Sequence, residues 1–257
     1  MPSPDTDGSD PGSRSLRVVV TRPREDAETL VEALTARGHS VHHEPLLAIE
    51  ARDDPAWPAG HQDAQALLIT SANGLRAFAR CDARRALPVF AVGDASAAAA
   101  RAAGFTAVHS AAGTVEDLAQ LVGDTLDPGA GPLLHPAAGK LAGDLQGLLA
   151  EDGFQVLRAV LYDAVPAQSF SEEFVRKIDS GLIDAVTFFS PRTAATFASL
   201  IAEAGLVPAC RGVAAVCLSR AVAERLSGLP WAAVAVAEQP DQQALLARLD
   251  ALAAKRE

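Results

Sequence analysis

Three serines stand where strand-like apolar segments give way to segments with helical spacing. Ser190 is followed by Pro191, and Ser71 and Ser219 occupy the same place in their own segments. A serine at this position accepts a hydrogen bond from an early helical N–H, and proline suits the first helical position. Such helix ends carry unpaired N–H groups and a partial positive charge, which could bind an anionic ligand. Taken alone, each serine is more simply explained as a helix cap without a ligand.

Cationic side chains lie close to the same turns. Arg22, Lys140, Arg192 and Arg220 each follow a predicted strand by a few residues, which is unexpected in a chain of net charge −10. These groups could hold carboxylates through charge-assisted hydrogen bonds. Alternatively, they could be ordinary exposed surface charges.

One tyrosine and several histidines complete the set of candidate chemical groups. Tyr162, the only tyrosine, lies in an extended segment, where its phenol could hydrogen-bond a ligand or its ring could simply pack. His135 follows an apolar segment and could contact a ligand from a strand-end loop, or it could be partly buried without a function. His39, His42 and His43 are close in sequence but lack a cysteine or carboxylate at ligand spacing. We therefore expect these three side chains to be solvated and expect no metal site.

Several standard catalytic signatures are missing. The sequence contains no GxSxG, GxxxxGKS/T or HExxH motif, and nucleotide binding and triad hydrolysis are therefore disfavoured. A nicotinamide or flavin oxidoreductase would need a glycine fingerprint directly after a strand. The closest glycine pair, Gly129 and Gly131, precedes its strand instead.

The composition bounds the class of protein. Of the 257 residues, 49% are hydrophobic and 21% are charged, and the mean hydropathy is +0.14, so a folded core is expected. No apolar stretch approaches the roughly 18 residues that a membrane-spanning helix needs.

The net charge of −10 disfavours nucleic acid and anionic membranes as partners. Three cysteines without a CxxC pair fit a cytoplasmic location, and residues 1–16 are typical of a flexible leader.

Beyond that leader the chain repeats a strand, a turn and a helix. The first unit combines a strand at 16–20 with a helix on which Ala27, Leu30, Val31 and Leu34 share one face. Three further units follow, and a second series of four begins near residue 131. Alternation of this kind predicts two α/β domains with parallel sheets.

The order of these motifs resembles that of the uroporphyrinogen-III synthase family, over about residues 17–252. The resemblance is carried by Val-Val-Thr-Arg-Pro at 19–23, Pro45, Thr-Ser-Ala-Asn-Gly at 70–74, Val-Gly-Asp-Ala-Ser-Ala at 92–97, the loop from His135 to Lys140, Val-Leu-Tyr at 160–162 and Phe-Phe-Ser-Pro-Arg-Thr-Ala at 188–194. One late motif departs from the family. Where many members have Ile-Gly-x-x-Thr-Ala, this chain has Leu-Ser-Arg-Ala-Val-Ala at 218–223, so a hydroxyl is absent at Val222.

The resemblance implies two similar, flavodoxin-like α/β domains with parallel sheets, joined by a two-stranded β-ladder hinge. One domain would be discontinuous, 17–43 with 166–257, and the other would span 50–157. The extended segments 44–49 and 158–165 would be the inter-domain connectors.

The resemblance also implies a reaction, in which linear hydroxymethylbilane loses water and the macrocycle closes with its last pyrrole ring inverted through a spiro intermediate. The partner would be this linear tetrapyrrole, with no cofactor, no metal and no nucleic-acid or membrane partner, and the enzyme would be a cytoplasmic monomer. Tyr162 would hydrogen-bond the departing hydroxyl. The substrate-binding residues would be Thr21, Arg22, Ser71, Ala72, Asn73, Gly93, Ser96, His135, Gly139, Lys140, Ser190, Pro191, Arg192, Ser219 and Arg220.

A noncatalytic function fits the same architecture. A two-domain module that closes on an anionic metabolite would need the same folds and the same anion-binding turns, because fold alone does not determine function. Turnover of hydroxymethylbilane distinguishes the two hypotheses.

Overall fold

The computed structural model describes residues 15–139 and 144–254. The chain divides into two compact units, Met1–Ala48 with Pro166–Glu257 (unit 1) and Ile49–Val165 (unit 2). Within the described ranges, no helix has the length and apolar character needed to span a membrane. Lys140, a predicted ligand-binding residue, lies outside the described residues.

Strands and helices alternate along most of the chain. In chain order the elements are β1 (Arg17–Val20), α1 (Arg24–Ala36), β2 (Ser40–His43), β3 (Leu47–Ala51), β4 (Ala66–Ile69), α2 (Ala72–Cys81), β5 (Val89–Ala91), α3 (Asp94–Ala102), β6 (Val108–Ser110), α4 (Val115–Thr125), β7 (Leu133–Ala138), α5 (Leu145–Glu151), β8 (Val156–Pro166), α6 (Glu172–Asp179), β9 (Ala185–Phe188), α7 (Pro191–Glu203), β10 (Ala214–Cys217), α8 (Arg220–Glu224), β11 (Ala233–Val236) and α9 (Gln242–Ala254).

Unit 1 is built on a five-stranded sheet with the order β11-β10-β9-β1-β2, in which every neighbouring pair runs parallel. β1 lies inside this sheet and is buried on both faces. Val19 packs into one hydrophobic cluster with α6 and α7, whereas Val18 and Val20 pack into another with α1 and α9. A strand covered on both faces needs a continuous apolar run, which is what residues 18–20 provide.

An ion pair anchors β1 to the start of β9, which follows it by more than a hundred residues. The Arg17 guanidinium donates through Nε to Asp184 Oδ2 and through its terminal nitrogen to Oδ1, both at 2.9 Å. The backbone N–H of Arg17 also donates to Asp184 Oδ2 at 2.8 Å. The hydrogen bond with Asp184 raises the pKa of Arg17. The same residue pair therefore fixes both the position and the register at which the two strands meet.

Unit 2 is built on a six-stranded sheet with the order β3-β8-β7-β4-β5-β6, in which the pairs from β8 to β6 are parallel. The strands separate two hydrophobic clusters, as shown by Leu67 on one face of β4 and Leu68 on the other. Edge strand β3 is held by the N–H of Arg52, which donates to the carbonyl of Leu161 in β8 at 3.0 Å. The chain passes between the units within these two neighbouring strands.

Two α/β units with parallel sheets are confirmed. Of the helix face predicted for α1, Ala27, Leu30 and Leu34 are buried. The fourth member, Val31, is partly buried and packs against the same hydrophobic cluster. The predicted series of four strands per half was incomplete, since β2 adds an edge strand to unit 1. In unit 2 the sheet gains β3 and β8, which contain parts of the extended segments predicted at 44–49 and 158–165.

Replacing Asp184 by alanine is expected to lower the unfolding free energy of unit 1 by about 1–3 kcal/mol, because it leaves Arg17 without its carboxylate partner. Each unit contains one of the two tryptophans, Trp231 in unit 1 and Trp57 in unit 2. Urea unfolding followed by Trp231 fluorescence in a Trp57→Phe background measures the effect. Asp250→Ala is the control, since its ion pair with Arg37 is exposed and longer, at 3.6 Å, and should change stability little. Equal effects of the two variants would contradict the anchoring role.

Candidate functional site

The carboxyl ends of parallel strands carry the turns where ligands usually bind in such sheets. In unit 2 the turn after β4 leads into α2, and Ser71 is the N-cap of that helix. Its backbone is extended, and its Oγ accepts a hydrogen bond from the N–H of Gly74 at 3.2 Å. The predicted capping role of Ser71 is confirmed.

The hydroxyl of Ser71 also meets the phenol of Tyr162. The two oxygens lie 2.9 Å apart, and either one could be the donor. Tyr162 projects from β8, and only 6% of the residue is exposed. A buried phenol needs a hydrogen-bond partner, and here a partner is the residue that caps α2. The tyrosine hydroxyl therefore lies at the amino-terminal end of a helix, where the helix dipole is positive.

A close backbone contact holds this end of α2 against β7. A Cβ atom built on Gly74 would lie 2.5 Å from the carbonyl oxygen of Pro136. No real side chain tolerates that distance, so glycine is required by the approach of the two segments. The two other residues predicted from this motif, Ala72 and Asn73, form the first turn of α2, and Asn73 Oδ1 accepts a hydrogen bond from Arg76 at 2.7 Å.

His135 lies inside β7, with only 3% of its surface exposed. The prediction that it occupies a strand-end loop was wrong, because β7 continues through Ala138. Its Nε2 lies 3.1 Å from Oγ1 of Thr70, the residue immediately before Ser71. Burial, together with the nearby positive charge of Arg158, lowers the pKa of His135 to about 4. The imidazole is therefore neutral near neutral pH.

Arg158 fixes the beginning of the segment that follows β7. Its guanidinium donates to the carbonyls of Ala138 and Gly139, both at 2.6 Å. A Cβ atom at Gly139, a predicted ligand-binding residue, would lie 2.5 Å from Asp163 Oδ1, so a larger residue here would displace that carboxylate. Asp163 in turn accepts hydrogen bonds from Arg52 at 2.8 and 3.1 Å, which lower the pKa of its carboxyl.

The remaining candidates of unit 2 lie at the start of α3. Gly93 is the residue before the helix and has an extended backbone. Ser96 is the third residue of α3 and is only 7% exposed. The two therefore differ in accessibility, with Gly93 half-buried at the turn and Ser96 facing the core.

In unit 1, Thr21 and Arg22 follow β1 directly. Thr21 is fully buried, and its hydroxyl donates to the carbonyl of Thr187 in β9 at 2.7 Å. The Arg22 guanidinium lies over the ring of Phe189, 4.3 Å from its centroid, a cation–π geometry. Thr21 thus ties neighbouring strands together, while Arg22 is held at their carboxyl ends.

The turn after β9 has the cap predicted from its Ser-Pro sequence. Ser190 Oγ accepts the N–H of Thr193 at 3.1 Å and lies 2.8 Å from its hydroxyl. Pro191 and the half-buried Arg192 are the first two residues of α7.

The turn after β10 differs from the other two serine turns. Ser219 occupies the N-cap position of α8, but its side chain makes no capping hydrogen bond. The predicted cap is wrong in this case. Arg220, the first residue of α8, is exposed, and Val222, where the hydroxyl is missing, is buried.

The three clustered histidines are not solvated, so that prediction was wrong. His39 is 5% exposed, and its Nδ1 accepts the N–H of Leu16 at 3.3 Å. His42 Nε2 lies 3.2 Å from the buried carboxylate of Glu44. His43 Nε2 hydrogen-bonds the carbonyl of Arg22 at 2.9 Å. The cause is that β2 pairs with β1, which brings the imidazoles against protein partners.

A family model described as uroporphyrinogen-III synthase HemD matches residues 28–247. The chain belongs to the uroporphyrinogen-III synthase family. The members of this family are cyclising lyases of tetrapyrrole biosynthesis. The family and the enzyme function implied by the motif order are therefore confirmed.

Two solved structures share the fold of this uroporphyrinogen-III synthase family member at low sequence identity. Uroporphyrinogen-III synthetase from Helicobacter pylori 26695 aligns with a TM-score of 0.64 and 14% identity, over 92% of this chain and 99% of that one. A mutant uroporphyrinogen III synthase from the extremely thermophilic bacterium Thermus thermophilus aligns with a TM-score of 0.57 and 22% identity, over 95% of this chain and 100% of that one. Among curated proteins, no match was found.

The structure brings together some of the predicted residues and adds others that the sequence did not reveal. Ser71 and Tyr162 meet directly, and His135 reaches the neighbouring Thr70. Sequence reasoning missed Thr70 as a partner and Arg158 as a support, because both act through contacts between strands that are distant in sequence. The sequence feature that could have indicated Thr70 is its position directly before Ser71.

Acidification is expected to destabilise the protein through His135. Its folded pKa of about 4 lies below the ordinary value of 6.5, so below about pH 6.5 the unfolded chain binds a proton that the folded chain does not. Stability should therefore fall by about 2 kcal/mol between about pH 7 and pH 5, and the loss should level off below about pH 4. Urea unfolding of wild type and of His135→Gln at pH 7 and at pH 5 measures this loss of stability. If His135→Gln lost as much unfolding free energy between the two pH values as wild type does, the assignment to His135 would be contradicted.

Proposed function

We propose that this chain converts hydroxymethylbilane into uroporphyrinogen III, with loss of water and inversion of the last pyrrole ring through a spiro intermediate. Membership of the family supports the reaction. The hydrogen bond between Ser71 and Tyr162 at the start of α2 carries the assignment to this site. It puts a phenol, which can donate a proton, at a helix end that favours developing negative charge.

Tyr162 would assist the departure of the hydroxyl group. The C–O bond to the pyrrolylmethyl carbon breaks, its electron pair stays on oxygen, and the phenolic proton of Tyr162 converts the leaving group into water. The electron-rich pyrrole ring supplies the electrons that expel it. The Ser71 hydroxyl, which accepts the Gly74 N–H, can then donate to the phenolate oxygen. The helix end thus stabilises the charge left on Tyr162.

Positioning would then determine the product. Without assistance, the activated bilane closes to the uninverted isomer, so the enzyme must hold the last ring with its substituted carbon toward the electrophilic methylene. Restricting the reactants to one geometry can supply several kcal/mol of the barrier reduction. This task requires many fixed contacts and no further acid or base.

The carboxylates of the substrate would be bound at the strand-end turns. In unit 1 the donors would be Arg22, Arg192 and Arg220, with the N–H groups that follow Ser190. In unit 2 they would be Lys140 and the first turns of α2 and α3. A chain of net charge −10 repels a polyanion at long range. The favourable binding free energy of the local hydrogen bonds must therefore exceed the repulsion between the negatively charged protein and the substrate carboxylates.

We further propose that the enzyme acts in the cytoplasm as a monomer, needs no cofactor, and has no nucleic-acid or membrane partner. The acidic composition supports the lack of a nucleic-acid or anionic-membrane partner, and the absence of a CxxC pair supports the cytoplasmic location. The monomeric state and the lack of a cofactor are implied by the resemblance to the family.

Incubation with hydroxymethylbilane, followed by oxidation and separation of the uroporphyrin isomers, tests the reaction itself. The type III isomer should predominate, because enzymatic closure must outrun the spontaneous route to type I. Type I alone, formed at the rate without protein, would contradict the proposal. Tight binding of the bilane without type III formation would favour the noncatalytic module.

Replacing Tyr162 by phenylalanine is expected to lower kcat roughly a hundredfold, since it removes the proton donor while keeping the ring. KM should change little. Steady-state kinetics with hydroxymethylbilane measures both constants, and an unchanged kcat would remove Tyr162 from the mechanism.

Ser71→Ala should also lower kcat, roughly tenfold, because Tyr162 loses a partner that stabilises its phenolate. The matched control is Thr114→Ala, which removes the N-cap of α4 in the same unit, where Thr114 Oγ1 accepts the N–H of Asp117 at 3.3 Å. Both variants should lose about 1 kcal/mol of stability, but only Ser71→Ala should lose activity. Equal kinetic effects would show that Ser71 matters only as a cap.

A further inference from the structure

A proline lies within a central strand of unit 2. Pro136 lies in β7, which runs between β8 and β4 and is buried along its whole length. Proline has no N–H to donate to a neighbouring strand and is normally confined to sheet edges or bulges. Among the described residues, the regular pairing of β4 with β7 comprises Ala66 with Leu133 and Leu67 with Leu134, and it stops before Pro136.

Where the backbone pairing of β4 with β7 ends, a side-chain hydrogen bond connects these two strands. Thr70 Oγ1 at the end of β4 and His135 Nε2 in β7 lie 3.1 Å apart. His135 is 3% exposed and Thr70 is half-buried, so water competes little for the bond. The imidazole therefore restores a connection where the backbone ladder has ended.

Thr70 is directly followed by Ser71, whose Oγ lies 2.9 Å from the phenol oxygen of Tyr162. A shift of the end of β4 would move the Ser71 hydroxyl with it, because one peptide unit separates the two residues. Two backbone contacts already limit this movement. The carbonyl of Pro136 approaches Gly74 closely, and the N–H of Val92 donates to the carbonyl of Ile69, the residue before Thr70, at 2.9 Å. The bond from His135 adds a side-chain restraint at Thr70 itself, on the side of β7.

We propose that His135 is a positioning residue, which acts through Thr70 to hold the Ser71 hydroxyl against the phenol of Tyr162. This is a different role from the substrate contact predicted from the sequence, and the depth of the imidazole in β7 favours it. The effect on turnover rests on the proposed function. The effect on the environment of Tyr162 does not, and it can be measured without substrate.

The experiment uses the fact that Tyr162 is the only tyrosine of the chain. Tyrosine labelled with ¹³C gives a single set of ring signals by NMR, which reports on the phenol hydrogen bond. Ser71→Ala provides the reference shift for loss of the partner. His135→Leu and Thr70→Val remove the proposed restraint from either side, while His135→Gln and Thr70→Ser keep a hydrogen-bonding group near the same position.

The signals of His135→Leu and Thr70→Val should move in the direction of Ser71→Ala, and those of His135→Gln and Thr70→Ser should stay near wild type. His39→Gln, a change at another buried histidine that lies in unit 1, should leave the signal unchanged. A wild-type Tyr162 signal in folded His135→Leu would overturn the proposal. If His135→Leu fails to fold, Thr70→Val decides the question in its place, since it removes the same bond through the half-buried partner.

Kinetics on the same variants gives the functional readout. His135→Leu and Thr70→Val should each lower kcat roughly tenfold and leave KM nearly unchanged. Each should also lower the proportion of the type III isomer in the product. The double variant should be no worse than either single variant, because both remove one interaction. Additive losses, or no rescue by His135→Gln, would overturn the positioning role. If wild type itself forms no type III isomer, the proposed function fails, whereas the NMR comparison still decides the role of His135.

Discussion

Parallel pairing is the constraint on which the positions of the candidate residues depend. Because neighbouring strands run in the same direction, their carboxyl ends collect at one edge of each sheet, and the helices that follow begin there. The turns after β1 and β9 in unit 1 and after β4 in unit 2 owe their places to this rule. Antiparallel strands would have sent alternate turns to opposite edges. The Arg17–Asp184 pair enforces the arrangement in unit 1, where the first strand must find partners far along the chain.

Hydrogen bonding by neutral groups resolves an apparent electrostatic conflict. The chain is acidic, and several of its guanidinium groups are already engaged by the protein itself. Arg85 donates to the carbonyls of Ala79 and Ala103, and Arg158 donates to those of Ala138 and Gly139. The helix ends at Ser71 and Ser190 offer backbone N–H groups that need no net positive charge. An acidic protein can therefore present a surface that is locally favourable to carboxylates.

The sequence predicted features that depend on local chemistry. The apolar spacing of Ala27, Leu30, Val31 and Leu34 identified the face of α1 that packs against the sheet, although Val31 lies at its partly buried margin. The Ser-Pro sequence at 190–191 identified the start of α7. The prediction for Ser219 failed although its sequence context was similar, because a capping bond depends on the geometry of a short helix of five residues. The order of the motifs predicted the family correctly, because the motifs are distributed along nearly the whole chain.

Features that depend on strand register could not be predicted. The burial of His39 follows from the pairing of β1 with β2, and the contact of His135 with Thr70 follows from the pairing of β7 with β4. Neither pairing leaves a local signature in the sequence.

The contact between Gly74 and Pro136 limits how such a chain can change over time. Even one added methyl group at position 74 would require a movement of the adjoining strand, because it meets a backbone carbonyl that any residue at position 136 would carry. Position 74 is therefore restricted to glycine for as long as this strand keeps its place.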